Sequence, residues 1–112
     1  MNKIKLSDIK KTMVLEKKIE RKDIVKEIKR LFPDSYAIPK PIRPSVRGVP
    51  DRMFCINGRL VAIEVKRDGG VVAEKQLEHI DKINKAGGLA FVAYSMEEVR
   101  EVLIKEGLLC SE

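Results

Sequence analysis

Apolar positions recur at helical spacing from about Thr12 to Phe32, through Leu15, Ile19, Ile24, Val25, Ile28, Leu31 and Phe32. That periodicity predicts an amphipathic helix with a lysine- and arginine-rich outer face, stopped at Pro33. Residues 1 to 12 carry only scattered Ile4, Leu6 and Ile9 and read as a basic arm or a short helix. All five prolines fall between residues 33 and 50, so that stretch is neither a helix nor a central strand throughout. Tyr36 to Ile38 is the exception and predicts a short edge strand.

Two apolar runs then flank Asn57-Gly58, the sequence signal for a two-residue type I′ turn. With those two residues as the loop, Ile56 faces Arg59, Phe54 faces Val61, Arg52 faces Ile63 and Asp51 faces Glu64. Both faces of the hairpin are apolar, Met53, Cys55, Leu60 and Ala62 on one and Phe54, Ile56, Val61, Ile63 and Val65 on the other. A sheet apolar on both faces calls for helices on both sides. Gly69-Gly70 reads as a loop before a helix from about Ala73 to Ala86, closed by Gly87-Gly88 as a left-handed cap. On that helix Gln76, Ile80 and Ile83 share one face, which turns Gln76 toward the sheet. Leu89 to Tyr94 is a continuous apolar strand. Ser95 and Glu98 form a capping box that opens a last helix through about Lys105, and Leu108, Leu109 and Cys110 leave an apolar end. The pattern predicts one α/β domain over residues 1–112, a mixed β-sheet with helices on both faces.

Composition narrows the function. The chain has 112 residues, 44% hydrophobic and 36% charged, which suits one small globular domain. With three Phe, two Tyr and no Trp, base stacking on aromatic platforms is not the expected mode of recognition. Charge is uneven: residues 1 to 49 hold 14 Lys and Arg against 6 Asp and Glu, or +8, while the remainder holds 9 against 11, or −2. A basic half beside an acidic half suits a polyanion surface next to a cation site. Cys55 and Cys110, with one histidine and no C-x-x-C, fit neither a disulfide framework nor a zinc site. They read as buried or incidental thiols in a reducing compartment. No apolar run approaches the length of a membrane span and the N-terminus has no signal-like apolar core, so a cytoplasmic protein is expected.

The hairpin register brings chemistry together at its open end. Directly opposed residues have Cβ atoms roughly 4.5 to 5.5 Å apart, and alternation puts Lys66 on the face of Glu64 and Asp51. Two carboxylates at about 5 Å repel by about 3 kcal/mol at an effective dielectric near 20. Lys66 offsets part of that, and a hard divalent cation such as Mg²⁺, which prefers carboxylate, carbonyl and water oxygens, would offset more.

Gly48-Val49-Pro50-Asp51-Arg52, Glu64-Val65-Lys66, Gln76 and the Gly87 to Tyr94 strand together resemble the virus-type replication-repair nuclease (VRR-NUC) domain, a branch of the PD-(D/E)xK superfamily. The resemblance covers about residues 16 to 95 and implies a restriction-endonuclease-like three-layer fold. It implies that Asp51, Glu64 and the carbonyl of Val65 hold Mg²⁺ or Mn²⁺, that Lys66 orients or deprotonates the attacking water, and that Gln76 positions one of them. The family also places a catalytic glutamate on the first helix, for which Glu16, Glu20 and Glu27 compete. Glu20, at helical offsets from Ile24, Ile28 and Leu31, is the first choice, as a further ligand of that metal, and Glu16 the second. The activity implied is phosphodiester hydrolysis in DNA by a metal-dependent, structure-specific endonuclease of phage or bacterial origin. Similar stand-alone proteins resolve Holliday (four-way) junctions as homodimers, whereas fused members cut flaps. Lys40, Arg43, Arg47, Arg52 and Arg67 are candidate phosphate contacts. The alternatives are a flap or linear-DNA nuclease, and a non-catalytic nucleic-acid-binding module with the same fold.

Overall fold

A computed structural model of the chain describes residues 21–39, 47–67 and 69–111, with the side chains of Arg21 and Lys22 excepted. The elements follow in the order α1 (Arg21–Leu31), β1 (Tyr36–Ile38), β2 (Arg52–Ile56), β3 (Arg59–Val65), α2 (Glu74–Lys85), β4 (Leu89–Ala93) and α3 (Met96–Lys105). The four strands form one mixed sheet in the order β1-β2-β3-β4, antiparallel except for the parallel pair β3 and β4.

The hairpin forms in the register that its turn dictates. Asn57 and Gly58 both have positive φ, 51° and 80°, the type I′ signature, and Ile56 pairs with Arg59, Phe54 with Val61 and Arg52 with Ile63. Because side chains alternate, this register sends Phe54, Ile56, Val61 and Ile63 to one face, where all are buried. Leu89 and Ala93 of β4 join them, and α1 and α3 cover them with Ile24, Ile28, Val99 and Leu103. Ile24 and Ile28 are one turn apart, the apolar stripe of α1, and the helix ends where Phe32 N–H still reaches the Ile28 carbonyl just before Pro33. The expected apolar end, Leu108 and Leu109, packs back onto this same core.

The opposite face is covered unevenly, which corrects the expectation of two fully buried faces. It is crossed by α2, the connection between the parallel strands β3 and β4, and α2 has no fully buried residue. Gln76, Ile80 and Ile83 are half-buried, as are Met53 and Leu60, while Ala62 and Ala90, small enough for close helix approach, are the hydrophobic residues of this face that are fully buried among those described. Cys55 lies on this face and is exposed, as is Cys110, so neither is the buried thiol that an apolar strand context suggests. The parallel pairing fixes the reason: among the described residues α2 packs chiefly on β4, at the opposite edge of the sheet from β1.

Both helices after the hairpin have well-defined ends. Gly87 N–H donates to the Asn84 carbonyl and Gly88 N–H to the Ile83 carbonyl, the two bonds of a Schellman motif. Gly107 and Leu108 repeat it at the end of α3 with the carbonyls of Ile104 and Leu103. At the start of α3 the Ser95 hydroxyl accepts the Glu98 N–H at 3.2 Å, while the Glu98 carboxylate accepts the Tyr94 N–H at 2.6 Å. Arg59 at the hairpin tip ties these ends together, donating to the carbonyls of Gly87 and Gly88 and pairing with Glu106 at 3.1 Å.

Candidate active site

The paired register of β2 and β3 ends at Arg52 and Ile63. Just beyond it the Asp51 carboxylate reaches across, and Val65 N–H donates to Asp51 Oδ2 at 3.0 Å. A side-chain acceptor thus takes this backbone N–H, which holds the carboxylate at the open end of the hairpin. Asp51 and Glu64 each lie one residue beyond the last pair, Arg52 with Ile63, and alternation puts both on one face. Both carboxylates are buried, Asp51 with 8% and Glu64 with 2% of its surface exposed, and they are the buried charged residues among those described.

Lys66 completes the cluster. Its backbone continues the parallel ladder, Lys66 N–H donating to the Ala93 carbonyl at 3.0 Å, which turns the side chain to the face of Glu64. Lys66 Nζ stands 3.7 Å from Glu64 Oε2, with the lysine side chain 20% exposed and the glutamate side chain 3% exposed. One end of the ion pair is thus sealed in the fold and the other faces solvent. The chain then turns sharply, Gly70 N–H donating to the Arg67 carbonyl at 2.8 Å, and the Tyr94 hydroxyl donates to the Gly70 carbonyl at 3.3 Å. Tyr94, at the end of β4, therefore pins the turn that follows Lys66.

Gln76 sits in the first turn of α2, half-buried, and its carbonyl oxygen accepts the Ala73 N–H at 3.0 Å. The residue that the spacing turns toward the sheet also closes the N-terminus of its own helix, a part that its identity as the third helical residue explains. Its amide NH₂ keeps two donor hydrogens beyond that bond.

The remaining candidates separate. Glu16 and Glu20, as well as Lys40 and Arg43, lie outside the described residues. Glu27, their competitor on the first helix, is committed elsewhere: it pairs with Arg30 on its own helix and with Arg100 of α3 at 3.2 Å. The hydrogen-bonded Arg30 guanidinium, with Arg100 behind it, holds the Glu27 carboxyl below its ordinary range against the upward push of burial. Glu27 thus fastens α1 to α3. Arg47 and Arg67 are exposed near the two chain segments that bear Asp51 and Lys66. Arg52 alternates to the other face of the sheet, that of Phe54 and Ile56, half-buried with its Nε buried and lacking a hydrogen-bond partner.

Two residues near the cluster make contacts that the linear motif does not specify. Gly48 packs its α-carbon against the backbone of Lys75 in α2, and the ring Nε2 of His79 lies 2.9 Å from the Arg47 carbonyl. His79 is the one histidine of the chain, three residues after Gln76. That spacing places both on one side of α2 and is the only clue the sequence offers.

Two carboxylates on neighbouring strands, beside the backbone of Val65, suit a hard divalent cation that retains several waters. Among the described residues no group of three His, Cys, Asp or Glu side chains comes together. Among the same residues no helix is long and apolar enough to cross a membrane. Comparison of the chain with protein-family models, curated proteins and solved structures finds no match, so the arrangement of Asp51, Glu64 and Lys66 has to carry the functional reading on its own chemistry.

Proposed function

We propose that this protein is a metal-dependent, structure-specific DNA endonuclease of the restriction-endonuclease-like fold, acting on branched DNA as a homodimer. The observation that carries the reading is the burial of Asp51 and Glu64 at one end of the hairpin with the Lys66 ammonium 3.7 Å from Glu64. A protein that only binds nucleic acid gains nothing from a sealed pair of carboxylates that repels phosphate, whereas a hydrolase needs them to hold a cation.

Asp51, Glu64 and the Val65 carbonyl would hold Mg²⁺ or Mn²⁺. Such an ion acidifies a bound water and stabilises charge on a phosphate oxygen. The chain's own groups do the rest. Asp51 is oriented by the Val65 N–H, so its carboxylate does not have to be ordered when a ligand arrives. Lys66, anchored beside Glu64 and open to solvent, can hold a water by hydrogen bonding, move its proton, and neutralise charge that develops on the phosphate. The Gln76 NH₂ is available as a further donor at the edge of the site. Exposed Arg47 and Arg67 flank the cluster and would contact phosphates through charge, reading shape rather than base sequence.

The branched substrate and the dimer rest on the resemblance to junction resolvases. Paired incisions require two sites. The test is incubation with labelled four-way junction, flap, linear duplex and single-stranded DNA, in Mg²⁺ or EDTA, beside Asp51→Asn and Lys66→Ala. Metal-dependent cuts placed symmetrically on the junction, lost in both variants, are expected. Cleavage that survives Asp51→Asn overturns the site, and tight binding without cleavage in either Mg²⁺ or Mn²⁺ identifies a binding module instead.

A further inference from the structure

The loop before Asp51 is seated on α2 by contacts that the proposed chemistry does not require. Gly48 has φ +84°, and a Cβ built on it would lie 2.6 Å from the Lys75 carbonyl carbon and 2.7 Å from its oxygen. Backbone, not a movable side chain, fills that space, so both the left-handed conformation and the close approach demand glycine. One residue earlier, His79 Nε2–H donates to the Arg47 carbonyl at 2.9 Å. The loop is therefore held by a packing contact and a hydrogen bond within two successive residues, both to α2.

α2 in turn is tied to the sheet. The Asn84 amide donates to the Ala90 carbonyl at 3.0 Å and accepts the Ala90 N–H at 2.8 Å, locking the C-terminal turn of α2 onto β4. β4 pairs in parallel with β3 through Val65 and Ala93, and Val65 N–H is the donor to Asp51. The contacts close a ring: β3 to β4, β4 to α2, α2 to the Arg47–Gly48 loop, and that loop through Pro50 to Asp51 and back to β3. A carboxylate at the end of a proline-rich segment is thereby placed by a helix on the far side of the site.

We infer that Gly48 and His79 are positioning residues for the acidic pair, setting through α2 where the Asp51 carboxylate stands relative to Glu64. Neither touches the reacting groups. Their effect passes through the backbone of Val49 and Pro50, and Pro50, which is buried and fixed in φ, transmits it stiffly.

The test compares His79→Leu, His79→Gln and Gly48→Ala in the full chain by two readouts. The first is amide hydrogen exchange in metal-free protein, with Val65 as reporter of Asp51 and Phe54 and Val61 as internal references. Loss of the latch hydrogen bond should speed exchange at Val65 by about tenfold relative to the references in His79→Leu. His79→Gln, whose side-chain amide offers a donor at similar reach, should restore it, and Gly48→Ala should exceed it. The second readout is calorimetric Mn²⁺ binding, with affinity weakened about tenfold or more in His79→Leu and Gly48→Ala and recovered in His79→Gln. This second arm rests on the endonuclease reading; the exchange arm does not. Unchanged Val65 exchange in both His79→Leu and Gly48→Ala overturns the inference. So does a uniform rise across all three amides, which would make the contacts general stabilisers. Wild-type protein that binds no Mn²⁺ defeats the proposed function while the exchange data still decide the role of the latch.

Discussion

Replacing Lys66 by alanine separates its electrostatic part from its chemical one. Lys66 Nζ lies 3.7 Å from the carboxylate of a glutamate whose side chain is 3% exposed. At an effective dielectric near 20, two unit charges at that separation attract by about 4 to 5 kcal/mol before hydration is counted. The ammonium is 20% exposed and gives up only part of its water, and holding a long side chain costs entropy, so the net coupling falls to about 1 to 2 kcal/mol. Lys66→Ala should therefore lower metal-free stability by about 1 to 2 kcal/mol, or about 4 to 8 °C in Tm for a domain of this size. In a double-mutant cycle with Glu64→Gln the penalty should vanish, because the carboxylate that needed the lysine is gone. Mg²⁺ at about ten times its Kd should return about 1.4 kcal/mol to Lys66→Ala. Cleavage should not return with it. Urea denaturation of wild type, the two single variants and the double variant, with Mg²⁺ and with EDTA, measures all of these terms. A coupling below about 0.3 kcal/mol would show a solvated lysine that contributes nothing to the site. Wild-type cleavage by Lys66→Ala in Mg²⁺ would remove the residue from the mechanism.

Two further outcomes concern the frame that carries the site. Glu27, whose carboxyl is held below its ordinary value of 4.5 chiefly by Arg30 and then by Arg100, stabilises the fold above that value and loses its contribution as pH falls through the lowered one. Glu27→Gln should thus melt a few degrees below wild type at pH 7, with the gap closing in acid, as thermal scans across that range would show; a gap independent of pH would mean the α1–α3 contact is not ionic. Asn84→Ala removes both bonds to Ala90 and should cost about 1 to 3 kcal/mol in urea unfolding. A loss under about 0.5 kcal/mol would show that water replaces the amide.

The hairpin was legible from its turn. Asn57-Gly58 admits one twist-compatible geometry, and a period of two then assigns every side chain from Arg52 to Val65 to a face, which is why the predicted pairs Phe54–Val61 and Arg52–Ile63 stand in the fold. The edge strand, the caps and the helix after the hairpin were legible for the same reason: they are written in residues close in sequence. Coverage of the sheet was not. Apolar alternation cannot say how far a helix extends sideways, so Cys55 reads as buried and is exposed.

The site divides in the same way. Sequence alone determined that Asp51, Glu64 and Lys66 share one face, because alternation and a two-residue turn are local rules. Tertiary structure decided what holds them there: Val65 N–H on Asp51, Tyr94 on the turn after Lys66, and His79 and Gly48 between α2 and the loop. It also gave Glu27 to Arg100. Those contacts join residues 14 to 73 positions apart, through one hydrogen bond or one missing Cβ each, and no local period encodes a partner at that distance.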